Sequence, residues 1–273
     1  MLVDREVAPI HDDTAPLHSK VALVTGAARG LGRHLAGALA AAGADVAVTA
    51  RNTAGLASTI DDVRAQGCRA LPLAMDLRDR ESVSAAVDAV VASFGRVDVL
   101  LCNSGVSGPS ERADLVCDEA WDETIAVNVT GTFACARACA RHMVAARRGV
   151  ILFVGSMTGK RPLLHRAPYA ASKMALVGLC RTMATDLGPE GVRVNLLSPG
   201  FVEGDRLDWV VAAQASAQSR PAETVRHELV ASSPLHRLTS PTDVAATAVF
   251  LASDAAAGIT GEDVNISSGL VMY

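Results

Sequence analysis

Val21-Ala-Leu-Val-Thr25-Gly26-Ala-Ala-Arg29-Gly30-Leu31-Gly32-Arg-His-Leu35-Ala-Gly-Ala-Leu-Ala-Ala-Ala42 decides how the chain folds. A short apolar run, Val21 to Thr25, meets a glycine-rich turn and then an Ala/Leu-rich stretch of helical length, Leu31 to Ala42. That order predicts strand, turn and helix, with the helix's free N–H groups and positive end facing outward beyond the strand. An anion fits there, and the glycines allow a tight turn and close approach of a diphosphate, the physical basis of dinucleotide binding. The spacing G-x-x-x-G-x-G departs from the commonest G-x-G-x-x-G, so taken alone it reads either as a nucleotide site or as a structural turn.

Outward from this stretch the same alternation continues. Apolar runs recur at Val46 to Thr49, Ala70 to Met75, Val97 to Cys102, Val150 to Val154, Val192 to Leu197 and Val264 to Ile266, which predicts seven strands with the first. Between them lie helical stretches at Thr53 to Ala65, Asp79 to Phe94, Glu119 to Ala146 and Tyr169 to Leu187. Because the strand runs are nearly all apolar, both faces of the sheet need cover. The expected fold is therefore a single-domain α/β, doubly wound parallel seven-stranded sheet with helices on both faces, and its ligands lie beyond the strands' C-terminal ends. Residues 1–18 lack periodicity and are expected to be a flexible arm; the domain spans 19–273. Its Phe201 to Ser233 insert, about 201–233, has a weak helical pattern and is expected to act as a substrate lid.

Composition narrows the function. Half of the 273 residues are apolar and the net charge is −4, with no basic run, which argues against a nucleic-acid partner. No stretch reaches the ~18 apolar residues of a membrane span and the opening segment is charged, so no membrane partner and a cytoplasmic location are expected. Six cysteines without a C-x-x-C pair and seven histidines without H-E-x-x-H or H-x-H spacing predict neither a disulfide framework nor a metal site.

Three further places carry chemistry. The second strand ends at Val48-Thr-Ala50-Arg51, where an acid would hold an adenosine ribose; instead Arg51, with Arg29 in the glycine turn, could face a 2′-phosphate, or both could be solvated surface groups. Asp76 follows the third strand, placed either to accept from an adenine amino group or to cap a helix. Tyr169 and Lys173 stand four apart and share one helix face. A free phenol has a pKa near 10, so roughly one in a thousand is ionised at neutral pH, and a neighbouring ammonium favours the phenolate. The Ser156 hydroxyl can bond the same substrate oxygen.

With those residues in hand, the chain resembles the short-chain dehydrogenase/reductase family from about Lys20 to Gly269. Its glycine motif matches Thr25 to Gly32, its N-A-G motif appears as Asn103-Ser104-Gly105, and its tetrad falls on Asn128, Ser156, Tyr169 and Lys173, with thirteen positions from Ser156 to Tyr169. Arg193-Val-Asn195, Pro199-Gly200 and Ile259-Thr-Gly261 are similar to its later segments. The resemblance implies a Rossmann fold and an enzyme moving a hydride between nicotinamide and a secondary alcohol or ketone, 3-oxoacyl-reductase-like or a small-molecule carbonyl reductase. It implies Tyr169 as proton donor or acceptor, Ser156 polarising the substrate oxygen, Lys173 lowering the phenol pKa and binding ribose, and Asn128 holding a water linked to Lys173. The cofactor would touch Gly26, Arg29, Gly30, Leu31, Gly32, Arg51, Asp76, Leu77, Asn103, Gly105, Tyr169, Lys173, Pro199, Gly200 and Val202. The alternative is a catalytically silent dinucleotide-binding regulator or scaffold, against which the complete tetrad argues.

Ala50 and Arg51 favour NADP(H) over NAD(H). The resemblance also implies a homotetramer paired through the Glu119 to Ala146 and Tyr169 to Leu187 helices, where Ala134, Ala138, Ala175 and Gly178 permit close packing, although packing on their own sheet explains them equally. Departures from the family pattern are Cys102 and Ser104 in N-N-A-G, Gly204 in place of a Thr, and Ile266-Ser-Ser-Gly269 in place of V-D-G-G. The substrate partner is a small alcohol or ketone of open identity: ketones, acyl thioesters, sugars and cyclic alcohols all fit. Lys160, Arg161, His165 and Arg166 could meet an anionic group or be exposed loop charges, and Trp209 could touch substrate or anchor the lid.

Overall fold

The computed structural model describes residues 14–273. Seven strands, β1 (Val21–Val24), β2 (Asp45–Ala50), β3 (Ala70–Ala74), β4 (Val99–Cys102), β5 (Gly149–Val154), β6 (Val192–Pro199) and β7 (Asp263–Ile266), form one sheet in the order β3-β2-β1-β4-β5-β6-β7. Every pairing is parallel, as in Val21 against Asp45 and Val99 against Val150. The order reverses direction between β1 and β4, which opens a crevice beyond their C-terminal ends.

The unbroken apolar strands are explained by cover on both faces. In β1, Ala22 and Val24 pack with Leu35 and Leu39 of helix α1 (Gly30–Ala41), Val63 of α2 (Ala57–Ala65) and Leu251 of α9 (Pro241–Ala252). Its alternate residues Val21 and Leu23 pack with Val87 of α3 (Arg80–Phe94), Met143 of α5 (Thr132–Ala145) and Leu176 of α6 (Ala167–Leu187). Truncating a fully buried leucine such as Leu39 to Ala is expected to cost about 2–5 kcal/mol. Five cysteines are buried and Cys117 is exposed, so most serve as small apolar side chains. No helix among the described residues is long and apolar enough to cross a membrane.

Three expectations are corrected. The single helix expected from Glu119 to Ala146 is α4 (Asp118–Ile125), a π-helical turn at Ala126–Gly131, and α5. The 201–233 insert, expected to have only a weak helical pattern, holds two helices, α7 (Asp205–Gln218) and α8 (Ala222–Ala231), whose Leu207, Val211, Ala215 and Val225 form a third core with Met157, Phe201 and Val271. Of the expected arm, residues 1–13 lie outside the described residues, but Leu17 is fully buried and its N–H donates to Ala42 O at 2.8 Å, so the packed chain begins before residue 18.

Candidate active site

The glycine turn and the exit of β4 are locked together across the crevice. Thr25 Oγ1 accepts from Asn103 N at 3.0 Å and Ser104 N at 2.9 Å, while Asn103 Nδ2 donates to Thr25 O and Gly26 O, both at 3.0 Å. Gly26 has φ +65°, a conformation that favours glycine, and a Cβ there would fall 2.6 Å from Ser104 Oγ. A Cβ on Gly32 would fall 2.2 Å from Gly26 O. α1 then starts from Gly30 with no side-chain cap from Arg29 and no acid in its first turn. Its leading N–H groups are therefore available to an anion, and the turn fits a dinucleotide diphosphate on the protein's own geometry. Leu31 packs on the core behind the turn.

At the outer end of the crevice Arg51 and Arg29 are both exposed. Asp76 is engaged by Arg78, with Nη2 to Oδ2 at 2.5 Å and Nε to Oδ1 at 3.0 Å, and that hydrogen bonding, helped by Arg78 and Arg51 charge, outweighs desolvation and holds the carboxyl near a pKa of about 2. The capping alternative for Asp76 is excluded: Asp79 caps α3, accepting from Glu81 N at 2.9 Å. Leu77 follows, buried. On the other side Pro199 ends β6, Gly200 N donates to Ile266 O at 2.8 Å, and Val202 bridges Thr239.

Tyr169 and Lys173 lie buried on one face of α6. Lys173 Nζ donates to Val154 O at 2.8 Å and stands 5.7 Å from the Tyr169 ring centre. Asn128, fully buried in the π-helical turn, accepts from Val106 N at 2.8 Å and donates to Val106 O and Ser172 Oγ, each at 3.0 Å; Ser172 Oγ donates to Tyr169 O at 2.8 Å. The Asn128 amide thus ties the loop after Gly105 to the tyrosine's helix. Ser156 starts a short 3₁₀ turn, its Oγ accepting from Thr158 N at 3.1 Å, and its hydroxyl also meets the Tyr169 phenol.

Electrostatics act on this cluster in opposing directions. Burial resists ionisation of the Tyr169 phenol, yet the charges of Lys173 and Arg206, the Ser156 hydrogen bond and Arg166 together hold it below its usual value. Burial lowers the Lys173 ammonium, opposed by Tyr169 and reinforced by Arg206. The structure therefore brings Asn128, Ser156, Tyr169 and Lys173 together, along with Gly105, where a Cβ would be 3.6 Å from Lys173 Nζ.

Two arginines complete this cluster: Arg206, which the sequence did not point to, and Arg166, which it left either meeting an anionic group or as an exposed loop charge. Arg206, at the start of α7, reaches back across the crevice and donates to Gly105 O at 2.8 Å. Arg166 is no exposed loop charge: only 4% of it is accessible, and its guanidinium lies 4.7 Å from the Tyr169 ring centre and 4.9 Å from that of Trp209. Its place three positions before Tyr169 at the start of a helix was the available signal. Lys160 is half-buried and paired with Asp263 at 2.7 Å, His165 is half-buried, and Arg161 is exposed.

Against known proteins, the family model described as short chain dehydrogenase matches residues 20–215. The chain is 37% identical to cyclohexanol dehydrogenase of Rhodococcus sp. (strain TK6), over 94% of this chain and 98% of that one. Among solved structures it is similar to NAD+-bound xylitol dehydrogenase (TM-score 0.90, 30% identity, 93% of this chain and 99% of that one). It is also similar to an actinorhodin polyketide ketoreductase with NADPH (TM-score 0.88, 32% identity, 93% and 98%).

Proposed function

Since the chain belongs to the short chain dehydrogenase family, and so to the oxidoreductases that use a nicotinamide dinucleotide to interconvert CH–OH and carbonyl groups, we propose that Tyr169 is its proton-transfer residue. The observation that carries this reading is the buried phenol of Tyr169, ringed by Lys173, Arg206 and Arg166 and held below its usual pKa. The bound nicotinamide supplies or accepts the hydride at the substrate carbon. In reduction the Tyr169 O–H gives its proton to the carbonyl oxygen as that oxygen gains charge, Ser156 holds the same oxygen, and Lys173 stabilises the phenolate left behind. In oxidation the phenolate takes the proton back. Asn128 positions Val106 and, through Ser172, the first turn of α6. The silent-regulator alternative has nothing in its favour.

Tyr169→Phe removes the transferable proton and leaves the glycine cradle intact. Turnover is expected to fall at least about 1000-fold, and cofactor affinity, read by titration, to remain within a few fold. A variant that turns over normally would overturn the assignment.

For the cofactor, NADP(H) is the preferred form. Ala50 offers no acid to a ribose, and Arg51 and Arg29 are both exposed beside the crevice. Arg51→Asp should weaken NADPH binding at least about tenfold relative to NADH, the scale of one charge-assisted contact. An unchanged ratio removes the preference. We further read the protein as a homotetramer. Ala134 is buried in its own core, but Trp121 on α4, Phe133 on α5 and Met174 on α6 are exposed, as are Ala175 and Gly178 among the described residues. Light scattering of the full chain tests the assembly.

A further inference from the structure

Arg166 is built into the site in a way that the proton-transfer reading does not use. It caps the start of α6, is more than nine-tenths buried, and its Nε and Nη1 find no acceptor among the described residues. No carboxylate pairs with it among the described residues. The aromatic faces of Tyr169 and Trp209 attract its charge but accept hydrogen bonds only weakly. Arg206, anchored on Gly105 O, brings a second cation to the same place, and Lys173 a third. Lys160, by contrast, is half-buried and is met by the Asp263 carboxylate at 2.7 Å. A guanidinium kept dry with idle donors is costly unless something meets them.

We propose that Arg166 is a substrate-recognition residue that binds the carboxylate of a short oxo acid or hydroxy acid, with Arg206 as the second cation, while the substrate's carbonyl or hydroxyl sits at Tyr169. The guanidinium adjoins the phenol's own ring, so carboxylate and reacting carbon must lie within a few bonds of each other. A carboxylate matches a guanidinium edge in geometry and charge better than a neutral group does. The proposal rests on the proton-transfer reading for the position of the carbonyl, and it deepens that reading by naming the substrate's charge.

The test compares acetoacetate with methyl acetoacetate, using the full chain saturated with NADPH and, separately, NADH. Wild type should favour the acid in kcat/KM by at least about 30-fold, and Arg166→Gln should collapse that acid-to-ester ratio by about 30–100-fold, with Arg166→Lys in between. No preference in wild type, or equal losses for both compounds, would overturn the proposal. A second arm needs no turnover: malonate added to a Trp121→Phe background, read by Trp209 fluorescence at saturating cofactor. Saturable quenching that disappears in Arg166→Gln supports the subsite. Quenching that persists in that variant, is absent in the background, or is abolished by the cofactor assigns the cations elsewhere and overturns it. Malonate binding together with normal turnover by Tyr169→Phe would sink the Tyr169 reading and keep the subsite; ester turnover lost in Tyr169→Phe without malonate binding would do the reverse.

Discussion

Asp98, just before β4, and Arg193, in β6, lie at the edge where the strands begin, and both are settled within the protein. Asp98 accepts from Val21 N at 2.9 Å and faces Arg96 and Arg148. Arg193 donates to Leu251 O at 2.8 Å and Ser253 O at 3.0 Å, closing the end of α9. At the opposite edge, where the strands end, Arg166 keeps Nε and Nη1 without acceptors among the described residues, and α1 begins with no side-chain cap. Not every group at this second edge is left open: α9 starts there with a full capping box, Ser240 Oγ accepting from Asp243 N at 3.1 Å and Asp243 from Ser240 N at 2.8 Å. The groups left open at the second edge, Arg166 and the start of α1, are those that border the candidate site, while α9 beside them is closed, so stability and function divide group by group.

The contrast can be broken by measurement. Asp98→Ala strips a buried acid from its cations and from Val21 N, and should cost about 3–5 kcal/mol in chemical denaturation with little change in turnover per folded molecule. A loss of turnover without a loss of stability would show that the two edges are not separate. Ser240→Ala removes one half of a cap and should cost about 1 kcal/mol. Asp243 adds a pH signature, because the Arg237 hydrogen bond first, then those from Ser240, outweigh desolvation and hold it down to about 2 from 3.8. Its contribution is complete above about pH 4 and fades as acid is added towards pH 2, so Asp243→Asn and wild type should converge in stability across that window. Arg166→Gln should change stability least, by under about 0.5 kcal/mol or in the favourable direction, since it removes donors that meet no acceptor among the described residues. A large destabilisation there would mean that its stacking on Tyr169 and Trp209 is structural.

The sheet, the glycine turn and the Tyr169 helix were legible because their signals are local. Apolar runs bounded by glycine place the strands to within about two residues, the turn Gly26 to Gly32 sits directly between strand and helix, and Tyr169 and Lys173 are one helical turn apart. What escaped depends on contacts remote in sequence. Arg206 meets Gly105 across a gap that no spacing rule reveals. In α7 the buried stripe Leu207, Val211 and Ala215 is diluted by Gln214, which is buried because its Nε2 donates to Leu164 O at 2.9 Å, so the helix looked like a loop. Lys160 and Arg166 looked like surface charges because the partners that meet them, Asp263 and Trp209, lie far along the chain.

The π-helical turn at Ala126–Gly131 has a consequence for how such a site could be lost. A wide turn holds one residue more than an α-helix would, and that surplus is what carries Asn128 to Val106 and Ser172. Deleting one residue there would let α4 run into α5 as a regular helix while rotating one against the other by about 100°. The chain would gain an ordinary helix and lose the brace behind its tyrosine, so a single codon separates a working site from a well-folded relic.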